Sequence, residues 1–220
     1  MTVRILLVDD QPLLRMGFRM VLDASAGLTV VGEAGSGSEA IALAQELRPD
    51  VVLMDVRMPG VDGIEATRQI TAARPDTRVI ILTTFDLDEY AFGGLRAGAS
   101  GFLLKDTEPG ELVAAIHTVA AGDASVSPRV TRRMLDLFGS QLPAAVETGQ
   151  SAADRSLAEL TEREREVFLA IAEGLSNPEL AERFSLSEST VKTHVGRILY
   201  KLQLRDRVQA VILAYDLGLA

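Results

Sequence analysis

Val51, Val52, Leu53 and Met54 run unbroken into Asp55, and Pro59-Gly60 follows within a few residues. An apolar run this short, rich in β-branched residues and closed by turn residues, suits a strand buried on both faces of a parallel sheet. Both faces must then be covered, which takes helices that cross over between parallel strands. Asp55 falls at the carboxyl end of its strand, the edge at which open α/β sheets bind ligands. The first strand, Val3 to Val8, ends the same way, in Asp9-Asp10. If the two strands are neighbours, three carboxylates converge. Charges about 5 Å apart at an effective dielectric of ~20 repel by roughly 3 kcal/mol per pair. Such a cluster needs a cation, a proton or a reactive role.

The first 126 residues alternate in the same manner. Strand-like runs are expected near residues 3–8, 28–34, 51–56, 79–84 and 101–104. Helical patterns fall near residues 12–24, 38–47, 63–73, 88–97 and 109–121. Five βα units with right-handed crossovers give an α/β doubly wound, five-stranded parallel sheet in a three-layer sandwich. Met16 and Met20 read as core or flanking residues of the first helix. Gly93-Gly94 lies inside the fourth helix, at roughly 1 kcal/mol per glycine relative to alanine, and marks that helix as labile.

From Pro128 to Phe138 a short helix is expected, and from Gly139 to Ser156 the pattern dissolves into Gly, Ser, Pro, Gln, Ala and Thr. Residues 127–156 therefore read as a linker helix and linker between two domains, 1–126 and 157–220. The second domain shows four helical segments and no convincing strand. Thr161 and Glu164 form a capping box ahead of Val167, Phe168 and Ile171. Asn177-Pro178 reads as an N-cap with proline at the first helical position, and Ser187 as the cap of a third helix. Two helices joined by a tight turn at 184–186, the second one basic, make a helix-turn-helix pattern.

Asp9, Asp10, Asp55, Thr83 and Lys105 each fall at the carboxyl end of an expected strand. Magnesium takes hard oxygen ligands and keeps several waters, so two carboxylates plus a backbone carbonyl suit it. Asp55 could then attack phosphorus as a nucleophilic carboxylate. Lys105 would balance charge on the transferred oxygens, and the Thr83 hydroxyl could bond one of them.

The formal net charge is −9, which speaks against nonspecific nucleic-acid binding by the chain as a whole. Locally the sign reverses. Ser189 to Arg207 holds Lys192, Arg197, Lys201, Arg205 and Arg207 against Asp206 alone, a basic segment fit for a phosphate backbone. With no cysteine there is no disulfide, thiolate nucleophile or Cys-based zinc site. No apolar run approaches the ~20 residues that span a bilayer, so a soluble, cytoplasmic protein without membrane partners is expected.

VDDQP (Val8 to Pro12), LMDVRMPGVDG (Leu53 to Gly63), Thr83-Thr84, GFLLKD (Gly101 to Asp106), and LTEREREV through TVKTHVGRIL together resemble a response regulator of the NarL/FixJ type. The resemblance covers nearly all of the chain outside the linker. It implies a flavodoxin-like receiver, strand order 2-1-3-4-5, joined to an all-α, four-helix LuxR-type helix-turn-helix domain. It implies Asp55 as phosphoacceptor, a Mg²⁺ site of Asp9, Asp10, Asp55 and the Arg57 backbone carbonyl, and Thr83, Lys105 and Phe102 as stabilising and switch residues. Lys192, Thr193 and Gly196 take base-facing positions, with Thr190, Arg197 and Lys201 completing the expected DNA-binding set. The implied partners are a sensor histidine kinase and double-stranded promoter DNA. The implied activity is regulation of transcription, not enzymatic turnover.

Two departures stand out. Asp106 follows Lys105 where many receivers have proline, so a cis peptide there is not assumed. Gly196 has no side chain to offer a base. The final helix is apolar nearly all round, with one stripe of Val208, Val211, Ile212 and Tyr215 and a second of Ala210, Leu213, Ala214 and Leu217. A small domain needs one of them, and the second is expected to meet a twin subunit in a phosphorylated homodimer. Two competing readings remain at this point. A haloacid-dehalogenase-like phosphatase needs a second acid two residues after its nucleophile, where this chain has Arg57. A constitutive DNA-binding regulator with a degenerate switch would need no phosphate at all.

Overall fold

A computed structural model describes residues 2–84, 93–122, 125–126 and 157–219. The chain divides into two compact units, Met1–Val130 and Thr131–Ala220. In the first, strands β1 (Val3–Val8), β2 (Leu28–Ala34), β3 (Val51–Asp55), β4 (Arg78–Thr83) and β5 (Gly101–Leu104) pair in parallel in the order 2-1-3-4-5. A two-residue strand, β6 (Ser125–Val126), adds to the β5 edge, too short to show as a sequence pattern. Helices α1 (Pro12–Asp23), α2 (Gly37–Leu47), α3 (Gly63–Ala73), a helical stretch over residues 93–96 (α4) and α5 (Pro109–Ala120) cover the sheet. Residues 88–92 of the expected fourth helix and the expected helix at 128–138 lie outside the described residues.

Alternation along buried strands sends neighbouring side chains to opposite faces. Ile5, Leu7, Leu53, Ile80 and Leu82 meet Leu22 of α1 and Leu112, Ile116 and Val119 of α5 in one core. Leu6, Val8, Val52, Met54, Ile81 and Phe102 are equally buried and point the other way. Central strands buried on both faces are what an uninterrupted apolar run such as Val51–Met54 demands.

Helix α1 differs from its expected reading. Met16 and Met20 are not core: they are 57% and 69% exposed, beside Leu13 at 81%. The helix packs through Leu22 and Phe18, which recur at helical spacing along it. Gly93 and Gly94 also have a packing reason. A Cβ on Gly93 would come within 2.9 Å of Ile64, and one on Gly94 within 2.9 Å of Ile81, so the glycines let that backbone lie close.

The second unit contains α6 (Glu162–Ala172), α7 (Asn177–Phe184), α8 (Glu188–Lys201) and α9 (Arg207–Asp216). Phe168, Ile171, Leu180, Val191, Val195, Ile198, Ala210 and Ala214 form its core. Each helix opens on an oxygen cap. Thr161 and Glu164 form a capping box on α6, as expected. On α7 the cap is Ser176, reciprocated by Glu179, while Asn177 is already helical. Serine one residue earlier wins because it places glutamate at the third position, where the box closes.

Both stripes of α9 are largely covered within the domain. Ala210 and Ala214, expected to face a twin subunit, are fully buried in the domain's own core, and Leu213 and Leu217 pack partly buried against it. Small residues at i and i+4 let α9 approach α6 closely, which periodicity alone does not reveal. Val208, Ile212 and Tyr215 are buried too but lie outside that core cluster.

Candidate functional site

Strand register assembles the first site. Val8 pairs with Met54, so Asp9 and Asp55 fall side by side one residue on. Asp55 pairs with Leu82, which puts Thr83 next. Thr83 pairs with Leu104, so Lys105 follows immediately, and its amide donates to the Thr83 carbonyl at 2.7 Å. Four of the five expected residues are thus set by backbone pairing, and Asp10 follows Asp9 directly.

Asp9 and Asp55 are 2% and 4% exposed, whereas Asp10 is open to solvent. One carboxylate oxygen from each of the three lies within 4.8 Å of the others. Lys105 Nζ sits 2.7 Å from Asp9 Oδ2 and 3.0 Å from Asp55 Oδ2. Asp9 Oδ1 accepts from the Gln11 amide at 2.8 Å. Its Oδ2, although ion-paired with Lys105, has no partner in hydrogen-bond geometry among the described residues. Burial raises the Asp55 carboxyl above its usual range, and Asp9 adds to the rise, against the pull of Lys105 and the Arg57 amide. Burial would lower the Lys105 ammonium, but its bonds to Asp9 and Asp55 outweigh that and raise it. One buried cation therefore serves more negative charge than it can satisfy. Three hard oxygen donors, one from each carboxylate and within 4.8 Å of one another, with one lysine shared by two of them, fit a divalent cation such as Mg²⁺.

Gly63 is a positioning residue that sequence reasoning passed over. Its amide donates to the Val56 carbonyl at 2.9 Å, and a Cβ there would lie 1.9 Å from the Asp55 carbonyl oxygen. Only glycine lets α3 begin directly against the end of β3. Arg57, whose carbonyl was expected as a ligand, donates from its amide toward Asp55 Oδ1 at 3.4 Å and from its guanidinium to Thr84 Oγ1 at 3.1 Å. Phe102 is wholly buried on β5, and the Lys105–Asp106 peptide is trans, with no cis bond among the described residues.

The second site is the outer face of α8. Val191, Val195 and Ile198 anchor the helix inward, leaving Thr190, Lys192, Thr193, Gly196, Arg197 and Tyr200 exposed. The turn before it passes through Ser185 in the left-handed region (φ 53) and Leu186 to the Ser187 cap. Arg163 fixes that turn from α6: its guanidinium lies 4.5 Å over the Phe184 ring and donates to the Phe184 carbonyl at 3.2 Å.

Lys201 is drawn away from that face. Its Nζ lies 2.7 Å from Glu164 Oε2, and the same oxygen accepts from the Thr161 amide at 2.9 Å and hydroxyl at 3.0 Å. Lys201, then the Thr161 amide, hold the Glu164 carboxyl down at about 2 against the opposing effect of burial. The sequence marked Glu164 only as a capping residue and Lys201 only as a DNA contact.

Residues 5–117 match the response regulator receiver domain family, and residues 158–214 match the luxR family of bacterial regulatory proteins. The chain is a response regulator of the NarL/FixJ family. It is 48% identical to the transcriptional regulatory protein YxjL of Bacillus subtilis over 99% of this chain and 97% of the relative. It is 37% identical to the nitrate/nitrite response regulator NarL of Escherichia coli over 94% and 93%. A crystal structure of a LuxR-family two-component response regulator from Aurantimonas superimposes with a TM-score of 0.59 at 40% identity, covering 62% of this chain and 97% of that one. The regulator thus joins a receiver to a LuxR-type DNA-binding domain and controls transcription. None of its described helices is long and apolar enough to cross a membrane.

Proposed function

We propose that Asp55 accepts a phosphoryl group from a sensor histidine kinase and that this event controls how α8 engages promoter DNA. An Asp55 carboxylate oxygen attacks phosphorus as the phosphorus–nitrogen bond of a phosphohistidine breaks, the imidazole leaving with the bonding pair. The transferred oxygens arrive beside the Lys105 ammonium, already 3.0 Å from Asp55 Oδ2. Asp9, Asp10, Asp55 and the Arg57 carbonyl would hold Mg²⁺, which when bound neutralises charge and orients the incoming group. The Thr83 hydroxyl then bonds a phosphoryl oxygen, and Phe102 transmits the change through the β5 face of the core.

The observation that carries this reading is the unbalanced acid cluster: three carboxylates within reach of one ion, with a single buried lysine between two of them. On α8, Lys192 and Arg197 face outward with Thr190, Thr193 and Gly196, a composition suited to phosphate and base-edge contacts in a major groove. Lys201 supports the helix instead of touching DNA. The regulator acts in the cytoplasm, as a homodimer once phosphorylated, through a surface other than Ala210 and Ala214. Incubation with a small phosphodonor and Mg²⁺ tests the reading. The native chain should gain one phosphoryl mass and shift promoter DNA more strongly, and Asp55→Asn should do neither. DNA binding that ignores phosphodonor in the native chain would overturn it.

A further inference from the structure

Gly196 stands in the interior of α8, where glycine weakens a helix relative to alanine. Most of the other described glycines have reasons in the fold. Gly27, Gly60, Gly98, Gly122, Gly174 and Gly218 adopt positive φ, and Gly196 does not. Gly32, Gly37, Gly63, Gly93 and Gly94 each lie where a Cβ would come within 3.0 Å of a neighbour. At Gly196 a Cβ would meet no described atom within 4 Å. Neither backbone nor packing calls for glycine here. Gly17 of α1 and Gly110 of α5 are equally open, but Gly110 stands in the first turn beside Pro109, where its amide has no intrahelical acceptor, and Gly17 lies among Leu13, Met16 and Met20, where nothing identifies what covers them.

The surroundings of Gly196 are specific. Lys192 and Thr193 precede it by four and three residues and Tyr200 follows by four, so all three share its face, and all are exposed. Between them the helix surface dips to a bare Cα. The floor of this dip offers no free hydrogen-bonding group. Gly196 lies far enough from both helix ends for its amide and carbonyl to be used within α8, and the Thr193 hydroxyl donates to the Ser189 carbonyl at 3.0 Å. A donor or acceptor of a base edge would go unpaired there. The major groove presents one apolar protrusion, the C5-methyl group of thymine.

Resting on the reading of α8 as the DNA-contacting helix, we propose that the recess at Gly196 admits a thymine methyl group and selects a T·A pair by shape. The test uses the full chain, phosphorylated with a small phosphodonor, to select a site from a randomised duplex library. Uracil then replaces thymine at each position of that site, removing only the methyl group. One position should lose about fourfold in affinity, the equivalent of one buried methyl group. Gly196→Ala should bind the site more weakly, lose the penalty for uracil at that position alone, and melt at a higher temperature. Uracil tolerated at every position, a penalty unchanged in Gly196→Ala, or a lower melting temperature for that variant would each overturn the recess. Failure of the native chain to enrich any sequence would overturn the DNA-contacting role of α8 together with it.

Discussion

Each unit of the regulator buries carboxylate against lysine, and the two outcomes are opposite. In the second, Glu164 meets Lys201 one to one, and a single carboxylate oxygen also takes the Thr161 amide and hydroxyl. Its acidity is strengthened, to about 2. In the first, Lys105 lies between Asp9 and Asp55, Asp10 stands beside them, and burial pushes the Asp55 carboxyl upward. The charged groups are the same, carboxylate and ammonium. What differs is the count of charges and of hydrogen-bond donors. A saturated pair fixes two helices to each other, whereas an undersaturated one is destabilised until a cation arrives. The comparison separates a clamp from a reactive site.

The largest expected effect would remove the reactive side altogether. Asp55→Asn should abolish phosphoryl uptake from a small phosphodonor, read as intact mass, because it removes the carboxylate oxygen, 3.0 Å from Lys105 Nζ, that would attack phosphorus. Residual uptake at Asp9 or Asp10 would break the distinction. Next in size, Lys201→Met should destabilise the second unit by ~3 kcal/mol, since it leaves Glu164 buried without its cation. Hydrogen exchange of core amides in α6 and α8 measures this separately from the receiver. A loss under ~0.5 kcal/mol would make the pair an ordinary surface bridge.

Neutralising the two carboxylates should then give effects of opposite sign. Glu164→Gln should destabilise its unit, whereas Asp55→Asn should stabilise the receiver by ~1 kcal/mol, relieving repulsion of the kind expected between close carboxylates. Melting and amide exchange of β3 check the second arm, and equal signs would defeat the comparison. The pH dependences should differ in the same way. Glu164 has a folded value of about 2, below its unfolded one. Its stabilisation, roughly 3 kcal/mol, is complete above about pH 5 and is lost as pH falls toward 2. The raised Asp55 value acts in reverse: its cost is present at neutral pH and disappears as pH falls through the folded value. Acid titration followed by amide exchange should therefore show the second unit weakening over a range in which Asp55 protonation strengthens the first.

The smallest effect concerns α9. Leu213→Ala should cost the second unit ~1–2 kcal/mol, less than a fully buried leucine, because Leu213 is only partly buried against its core. An unchanged stability with weakened self-association would return this stripe to a subunit interface.

The receiver site was legible because its determinants are local and repeated. A strand that ends in a polar residue puts that residue at one edge of the sheet whatever its neighbours are, and Asp9, Asp55, Thr83 and Lys105 all obey this. Period and caps likewise revealed the helix-turn-helix and the exposed Lys192 and Arg197. The same signals do not reveal a partner that lies far along the chain. Lys201 and Glu164 are 37 residues apart, and nothing in either segment names the other. The two stripes of α9 have equal periodicity, so only the close approach of α6 decides that Ala210 and Ala214 are inside. Periodicity tells which side chains share a face. Whether that face is covered, and by what, follows from long-range packing, and so the sequence determined the chemistry of the acid edge while the tertiary structure decided which charges are spent holding the fold together.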